Sequence, residues 1–108
     1  MAEQILLALS TFPDPETARC ISNRLVTEKL AACANILPAV ESIYRWKGSI
    51  ETASEVLVIL KTTIGSYQLL EQRLQGLHPY EVPEIIATRA HIGLPGYLQW
   101  LGESCVPE

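Results

Sequence analysis

Two extended stretches that meet at a glycine, within residues 40–62, restrict the fold more than any other feature of the chain. The stretch VESIYRWK at 40–47 is predicted to form one strand, and the return strand is predicted from 50 to 62. Gly48-Ser49 fits a two-residue hairpin turn with glycine in the first central position. The apolar run Val56–Leu60 indicates a buried central strand, whereas the polar residues before it place the hairpin tip beyond the core.

The segments on either side of this hairpin alternate between strands and helices. Strands are predicted at 4–10, 31–37 and 85–90, and Pro38 suggests an edge strand or a bulge. Helices are predicted after the N-caps Asp14 and Ser66 and from Pro95 onward. The order β-α-β-β-α-β-α is the ferredoxin-like, split βαβ plan of the α+β class, with an added C-terminal helix. Right-handed crossovers then place both main helices on one face of a four-stranded antiparallel sheet.

The other face of that sheet needs a cover that one copy of the chain is too short to supply. The 108 residues, 48% of them hydrophobic, are predicted to form a single domain spanning 1–108, since two domains would need roughly 200 residues. Only the tail helix and the projecting hairpin remain to cover the second face, which predicts association with other copies. Tyr44 and Trp46 share one face of the hairpin by the period of two, and they are the candidate interface residues.

Charge and cysteine content restrict the class of partner and the compartment. The net charge of −4 argues against a nucleic-acid partner, which normally meets a basic face, and against electrostatic attachment to a membrane. The chain begins without a secretory pattern, and its longest apolar runs of about five residues predict no membrane span. Three cysteines cannot close a disulfide set, so reduced thiols in the cytoplasm are expected, with Cys20 and Cys33 as small core residues.

Five stretches that occur in order along nearly the whole chain carry a resemblance to a known family. They are EKLAACANILP at 28–38, SIYRWKGSIE at 42–51, LKTT at 60–63, LHPYEVPEI at 77–85 and YLQWL at 97–101. In these motifs the chain resembles the CutA family, which is named for divalent-cation tolerance. The resemblance implies a ferredoxin-like protomer, a homotrimer with the long hairpin in its subunit contacts, and a role in tolerance of metal ions, chiefly copper. It implies no reaction.

The metal ligands that the resemblance implies are only partly present. Ser10 stands where copper-linked members carry a cysteine, and Leu77-His78 stands where they carry two adjacent histidines. His78 is therefore the one remaining candidate ligand, which predicts weak binding of Cu(II) or another divalent cation and no required cofactor. The alternative is that His78 packs and hydrogen-bonds the loop before Pro79.

A second functional hypothesis concerns a cleft around Lys61, at the end of the apolar run. A lysine there needs a partner, for which Glu84 is the candidate, and Tyr80 is placed to close a pocket with Trp46 or Trp100. The chain would then be a small-molecule sensor or signalling trimer with an anionic metabolite in this cleft. Alternatively, the lysine forms a structural ion pair, or the trimer only binds partner proteins. The sequence contains no pairing of nucleophile and base that would predict an enzyme.

Overall fold

The computed structural model describes residues 4–106, which form a four-stranded sheet and three helices. The elements are β1 (Ile5–Phe12), α1 (Pro15–Thr27), β2 (Cys33–Trp46), β3 (Ser49–Thr63), α2 (Ile64–Leu77), β4 (Ile86–Arg89) and α3 (Pro95–Ser104). All neighbouring strands are antiparallel, in the spatial order β2-β3-β1-β4. The predicted ferredoxin-like, α+β architecture with an added C-terminal helix is confirmed.

The core lies between α1 and α2 and one face of the two central strands. Residues that pair across an antiparallel ladder point to the same face, and Ala8 pairs with Leu60 as Phe12 pairs with Val56. These side chains are buried against apolar residues at helical spacing, which are Ala18, Ile21 and Leu25 of α1 and Leu70 and Leu74 of α2. We call this the helix face of the sheet and its opposite the open face.

Of the two predicted helix N-caps, one is confirmed and one is wrong. Asp14 caps α1 as predicted, since its Oδ1 accepts a hydrogen bond from the Thr17 amide at 2.7 Å. The cap of α2 is Thr63 and not Ser66, because the Thr63 hydroxyl accepts from the Ser66 amide at 3.2 Å. Ser66 is buried inside the first turn, and its hydroxyl donates to the Cys105 carbonyl at 3.1 Å.

The hairpin turn lies one residue earlier than predicted. Trp46 pairs with Ser49, so the two turn residues are Lys47 and Gly48, with φ angles of 49° and 83°. Positive φ at both positions matches a turn whose twist follows the right-handed twist of the strands, and glycine occupies the second position at little cost. Gly48-Ser49 as the turn is therefore wrong, although the hairpin itself is present.

The predicted irregularity at Pro38 is confirmed, and it changes which face the later side chains share. β2 is an edge strand, and its register with β3 shifts between Leu37 and Val40. Leu37 pairs with Leu57 and Val40 pairs with Glu55, so three steps along β2 match two steps along β3. One extra residue in the edge strand is a β-bulge, and every side chain after it moves to the opposite face.

The open face of the sheet is covered at one end only. A second apolar cluster there joins Ile5 of β1 to Leu101 and Cys105, where α3 and the residue after it pack on the sheet. Further along the same face, Leu7, Leu9, Leu57 and Ile59 stay half-buried. None of the three helices within residues 4–106 has the length and apolar character to cross a membrane.

The prediction that Cys20 and Cys33 are core residues is wrong. Cys20 is exposed and Cys33 is half-exposed, whereas Cys105 is buried. Cys20 follows Ala18 by two positions, which places it about 200° around the helix from the buried stripe. Cys33 lies on the edge strand opposite Lys61, where no further strand covers it in the described chain.

Candidate functional site

A cavity of about 690 Å³ lies between the projecting half of the hairpin and the loop that follows α2. Three aromatic and three acidic side chains line it, which are Tyr44, Trp46, Tyr80, Glu55, Glu81 and Glu84. We call this cavity the acidic cleft. Among the described residues that line it, none is basic. Its potential is therefore expected to be negative.

The β-bulge brings Tyr44 and Trp46 onto the wall of this cleft. After the bulge, Val40 shares a face with Glu55, and the period of two then carries the even positions of β2 onto that face. Tyr44 and Trp46 are 43% and 41% exposed, so both rings are available to a second molecule. The predicted grouping of these two side chains on one face agrees with this register.

His78 stabilises the loop after α2, which forms the second wall of the acidic cleft. Its Nδ1 accepts a hydrogen bond from the Tyr80 amide at 3.1 Å, which assigns the ring proton to Nε2. Nε2 lies 2.8 Å from the Thr11 carbonyl oxygen and donates to it, and the ring stacks on Phe12 with centroids 4.6 Å apart. The side chain is 8% exposed, and burial lowers the pKa of His78 below its usual value. The ring is therefore neutral, and its two hydrogen bonds connect the loop to β1.

These contacts bear directly on His78 as a metal ligand. Both ring nitrogens already hold hydrogen bonds, so a metal ion could bind only after one of them is broken. Ser10 is fully buried in the core, and Leu77 packs partly buried against the same cluster. Within residues 4–106, no group of three or more histidine, cysteine or acidic side chains could hold a metal ion.

Tyr80 connects the loop to the hairpin across the cleft. Its hydroxyl donates a hydrogen bond to Glu55 Oε2 at 2.7 Å. Burial, and then the bond to the Glu55 carboxylate, raise the pKa of Tyr80 far above its usual value, so the phenol stays protonated and remains a donor. Glu55 is half-buried beside this phenol, whereas Glu81 and Glu84 are exposed at the rim.

Lys61 does not belong to this cleft. Its Nζ lies 3.3 Å from the Tyr97 hydroxyl and 5.5 Å from the centroid of that ring, on α3. Six positions of extended strand separate it from Glu55, a distance of about 20 Å. Among the ion pairs of the described residues, none joins Lys61 to Glu84. The structure thus brings Tyr80 and Glu84 together as predicted, and it separates Lys61 from both.

Trp100 is not among the residues that line the cleft, whereas two acidic residues that the sequence did not single out are. Trp100 packs against Tyr97, with centroids 5.5 Å apart, so Trp46 is the tryptophan that shares a cavity with Tyr80. Glu55 and Glu81 were missed as cleft residues. Glu55 is the last polar residue before the apolar run, but nothing in the sequence connects it to Tyr80, 25 positions away.

Comparison with known proteins finds similarity to divalent-cation tolerance proteins. Residues 6–104 match the family described as CutA1 divalent ion tolerance protein. The divalent-cation tolerance protein CutA of Thermus thermophilus is 46% identical over 98 residues, which cover 91% of this chain and 95% of that protein. The solved structure of CutA1 from Oryza sativa has a TM-score of 0.94 at 35% identity, covering 97% of this chain and 96% of that one.

One further structural relative has a location in its description. The divalent-cation tolerance protein CutA of Archaeoglobus fulgidus, described as periplasmic, has a TM-score of 0.91 at 33% identity. The match covers 94% of this chain and 99% of that one. The descriptions of these relatives and of the family refer to CutA or to divalent-cation tolerance, and none of them refers to a reaction.

Proposed function

This chain belongs to the CutA1 divalent ion tolerance family, and we propose that it acts in tolerance of divalent cations, chiefly copper, as a homotrimer that binds the cation weakly. The observation that carries the proposal is the match of residues 6–104 to that family. The role is proposed to be non-catalytic and to involve neither nucleic acid nor membrane. A net charge of −4 supports the absence of a nucleic-acid partner.

Exposed apolar surface on the hairpin and the sheet supports the assembly. Ile43 and Ile50 near the hairpin tip are 67% and 60% exposed on one face of the hairpin, and the partly exposed rings of Tyr44 and Trp46 lie on the other. The half-buried apolar side chains of the open face add to this surface. Exposed apolar side chains on both faces of a projecting hairpin favour a subunit contact, and three copies are the number that the CutA resemblance implies.

The geometry of a single copy supports the proposal that the metal is bound weakly. His78 must give up a hydrogen bond before it can bind copper, and no set of three ligands converges within residues 4–106. Tight binding in proteins normally uses three or four ligands. We therefore expect a cation to be held weakly, by groups from more than one copy.

A titration with Cu(II), followed by calorimetry, tests this proposal. The assembled protein should bind weakly at pH 7.5, and less at pH 5, because protons compete for a ligating imidazole. Burial lowers the pKa of His78, so this loss should set in below pH 6.5. His78→Gln should reduce binding, and a dissociated variant such as Trp46→Glu should abolish it.

His91→Ala is the matched control, since it removes the other histidine of the chain, which is exposed. It should leave the copper isotherm unchanged. Tight binding that survives both His78→Gln and dissociation would overturn the proposal and move the ligands to carboxylates or cysteines of one copy.

We further propose a cytoplasmic location. Cys20 is an exposed free thiol and Cys33 a half-exposed one, which suits a compartment that keeps cysteines reduced. A fusion-free localisation measurement, by fractionation and immunodetection, tests it. Recovery of the protein in a periplasmic fraction, the location described for the Archaeoglobus fulgidus relative, would contradict it.

The small-molecule alternative keeps one supporting observation, the acidic cleft itself. Its original form, an anionic metabolite held by Lys61, loses its physical basis because Lys61 contacts Tyr97 instead. Three carboxylates and no basic side chain among the described lining residues repel an anion. A ligand of this cleft must therefore be neutral or cationic.

A further inference from the structure

The walls of the acidic cleft combine aromatic rings with carboxylates. Tyr44 and Trp46 project from the hairpin, and Tyr80 faces them from the loop after α2. The volume of about 690 Å³ falls within the range of small-molecule sites, about 300–1,000 Å³. Aromatic faces carry a negative quadrupole, so rings around a pocket attract cations with little hydration.

The carboxylates are arranged to act on a cation inside the cleft. Glu55 is half-buried, and the phenol of Tyr80 holds it in place by a 2.7 Å hydrogen bond. Glu81 and Glu84 at the rim add negative charge where a ligand would enter.

Aromatic walls discriminate between the kinds of cation that such a charge could attract. A divalent metal ion needs several oxygen, nitrogen or sulfur ligands, and no group of three His, Cys, Asp or Glu side chains within residues 4–106 supplies them. A methylated ammonium ion is weakly hydrated and gains from contact with ring faces. Within the chain, Lys47 Nζ lies 5.7 Å from the ring centroid of Trp46, so this ring is accessible to a cation, although Lys47 does not line the cleft.

We propose that the acidic cleft binds an organic ammonium ion of the quaternary or methylated class. The rings of Tyr44, Trp46 and Tyr80 surround the methyl groups, and Glu55 supplies the nearest compensating charge. This site goes beyond divalent-cation tolerance and does not depend on copper binding. Tyr44 and Trp46 also belong to the proposed subunit contact, so the cleft lies at the boundary between copies.

Choline is the probe, and 3,3-dimethylbutan-1-ol, its neutral analogue of the same shape, is the matched control ligand. A Trp100→Phe background leaves Trp46 as the only tryptophan, and its fluorescence reports occupancy of the cleft. Choline should give a saturable change in the millimolar range at low ionic strength. The neutral analogue should bind at least about fivefold more weakly, since it lacks the attraction between charge and ring.

Variants test which groups provide the affinity, with calorimetry as the readout. Glu55→Gln should weaken choline binding several-fold, and Trp46→Leu should weaken it by about fivefold or more. Lys61→Met is the control, because it changes a charge about 20 Å away along β3 and should leave choline binding within twofold. Light scattering on the same samples records the assembly, so that loss of binding through dissociation is recognised.

Three outcomes would overturn the proposal. Equal binding of choline and its neutral analogue would make the cleft a purely apolar pocket. Absence of saturation in the assembled protein, with binding restored in a dissociated Ile50→Glu variant, which lies outside the cleft lining, would mean that a second copy fills the cleft. Absence of binding in both would remove the site altogether. Each outcome is independent of the copper titration, which tests the proposed function separately.

Discussion

The two halves of β3 lie in one continuous strand, yet they differ in almost every physical respect. From Val56 onward, alternate side chains are buried beneath α1 and α2, whereas the residues nearer the turn are mostly exposed. The buried half is stabilised by contacts within one copy. The projecting half has only β2 beside it, and a two-stranded hairpin alone is marginally stable in water. The difference places the stability of the protomer in the buried half, and it is the projecting half to which we assign the proposed contacts with other copies.

Trp46→Glu should have the largest effect of these changes. It should disrupt the assembly through the projecting half and leave the fold of the protomer intact. A charge placed in a subunit contact without a partner costs several kcal/mol, about 3–5 by comparison with broken buried pairs. Light scattering at micromolar concentration should show the mass of a trimer for the native protein and 11.9 kDa for the variant. The far-ultraviolet circular dichroism should be nearly unchanged.

Gln68→Glu is the control for that change, since it adds the same charge on the exposed side of α2. Its mass should remain that of the assembled protein. A mass of 11.9 kDa for the unmodified protein would show a monomer and would contradict the subunit contact proposed for the projecting half.

Leu60→Ala should have the next largest effect, on the buried half. The side chain is fully buried in the core, and removing its methyl groups leaves a cavity. The free energy of unfolding should fall by about 2–5 kcal/mol in urea, with the mass under native conditions unchanged. Ile50→Ala, at the projecting end of the same strand, should leave the unfolding of a dissociated protein within about 0.5 kcal/mol. Similar losses for both variants would break the comparison between the two halves.

Acid should weaken the fold through His78, which ties the loop to β1. Burial lowers the pKa of His78 in the folded state, so the unfolded chain binds more protons below about pH 6.5. The stability that the neutral ring contributes is present above that pH and is lost as pH falls through the lowered folded value. Midpoints of urea unfolding between pH 7.5 and 5 should fall in the native protein and stay flatter in His78→Gln. A parallel fall in both would assign the effect to other groups.

Lys61→Met and Glu84→Gln should have the smallest effects. Lys61 is half-exposed against Tyr97 and Glu84 is exposed, so neither change leaves a buried charge without a partner. Each should alter the free energy of unfolding by less than about 1 kcal/mol, the range of an exposed cation–π contact or of a surface charge. A much larger loss for Glu84→Gln would revive the ion pair that the geometry separates.

Local patterns predicted the elements that depend on neighbouring residues. The Asp14-Pro15 start of α1, the apolar strand after Glu55 and the irregularity at Pro38 all follow from chemistry within a few positions, and all are present. The predicted turn Gly48-Ser49 is wrong by one residue, because the glycine alone does not decide between that pair and the observed Lys47-Gly48. Only the register between the two strands distinguishes them.

The sequence by itself determined the order of elements, the α+β plan and the resemblance to a family, because periodicity and short motifs are local properties of the chain. The tertiary structure decided which side chains meet. Tyr80 reaches Glu55 and Lys61 reaches Tyr97 across 25 and 36 positions, and the composition of the cleft depends on both contacts. A single inserted residue in β2 places Trp46 on the wall of that cleft, since a strand reverses its faces with each step. Contacts of this kind depend on register and crossing geometry, which no short segment encodes.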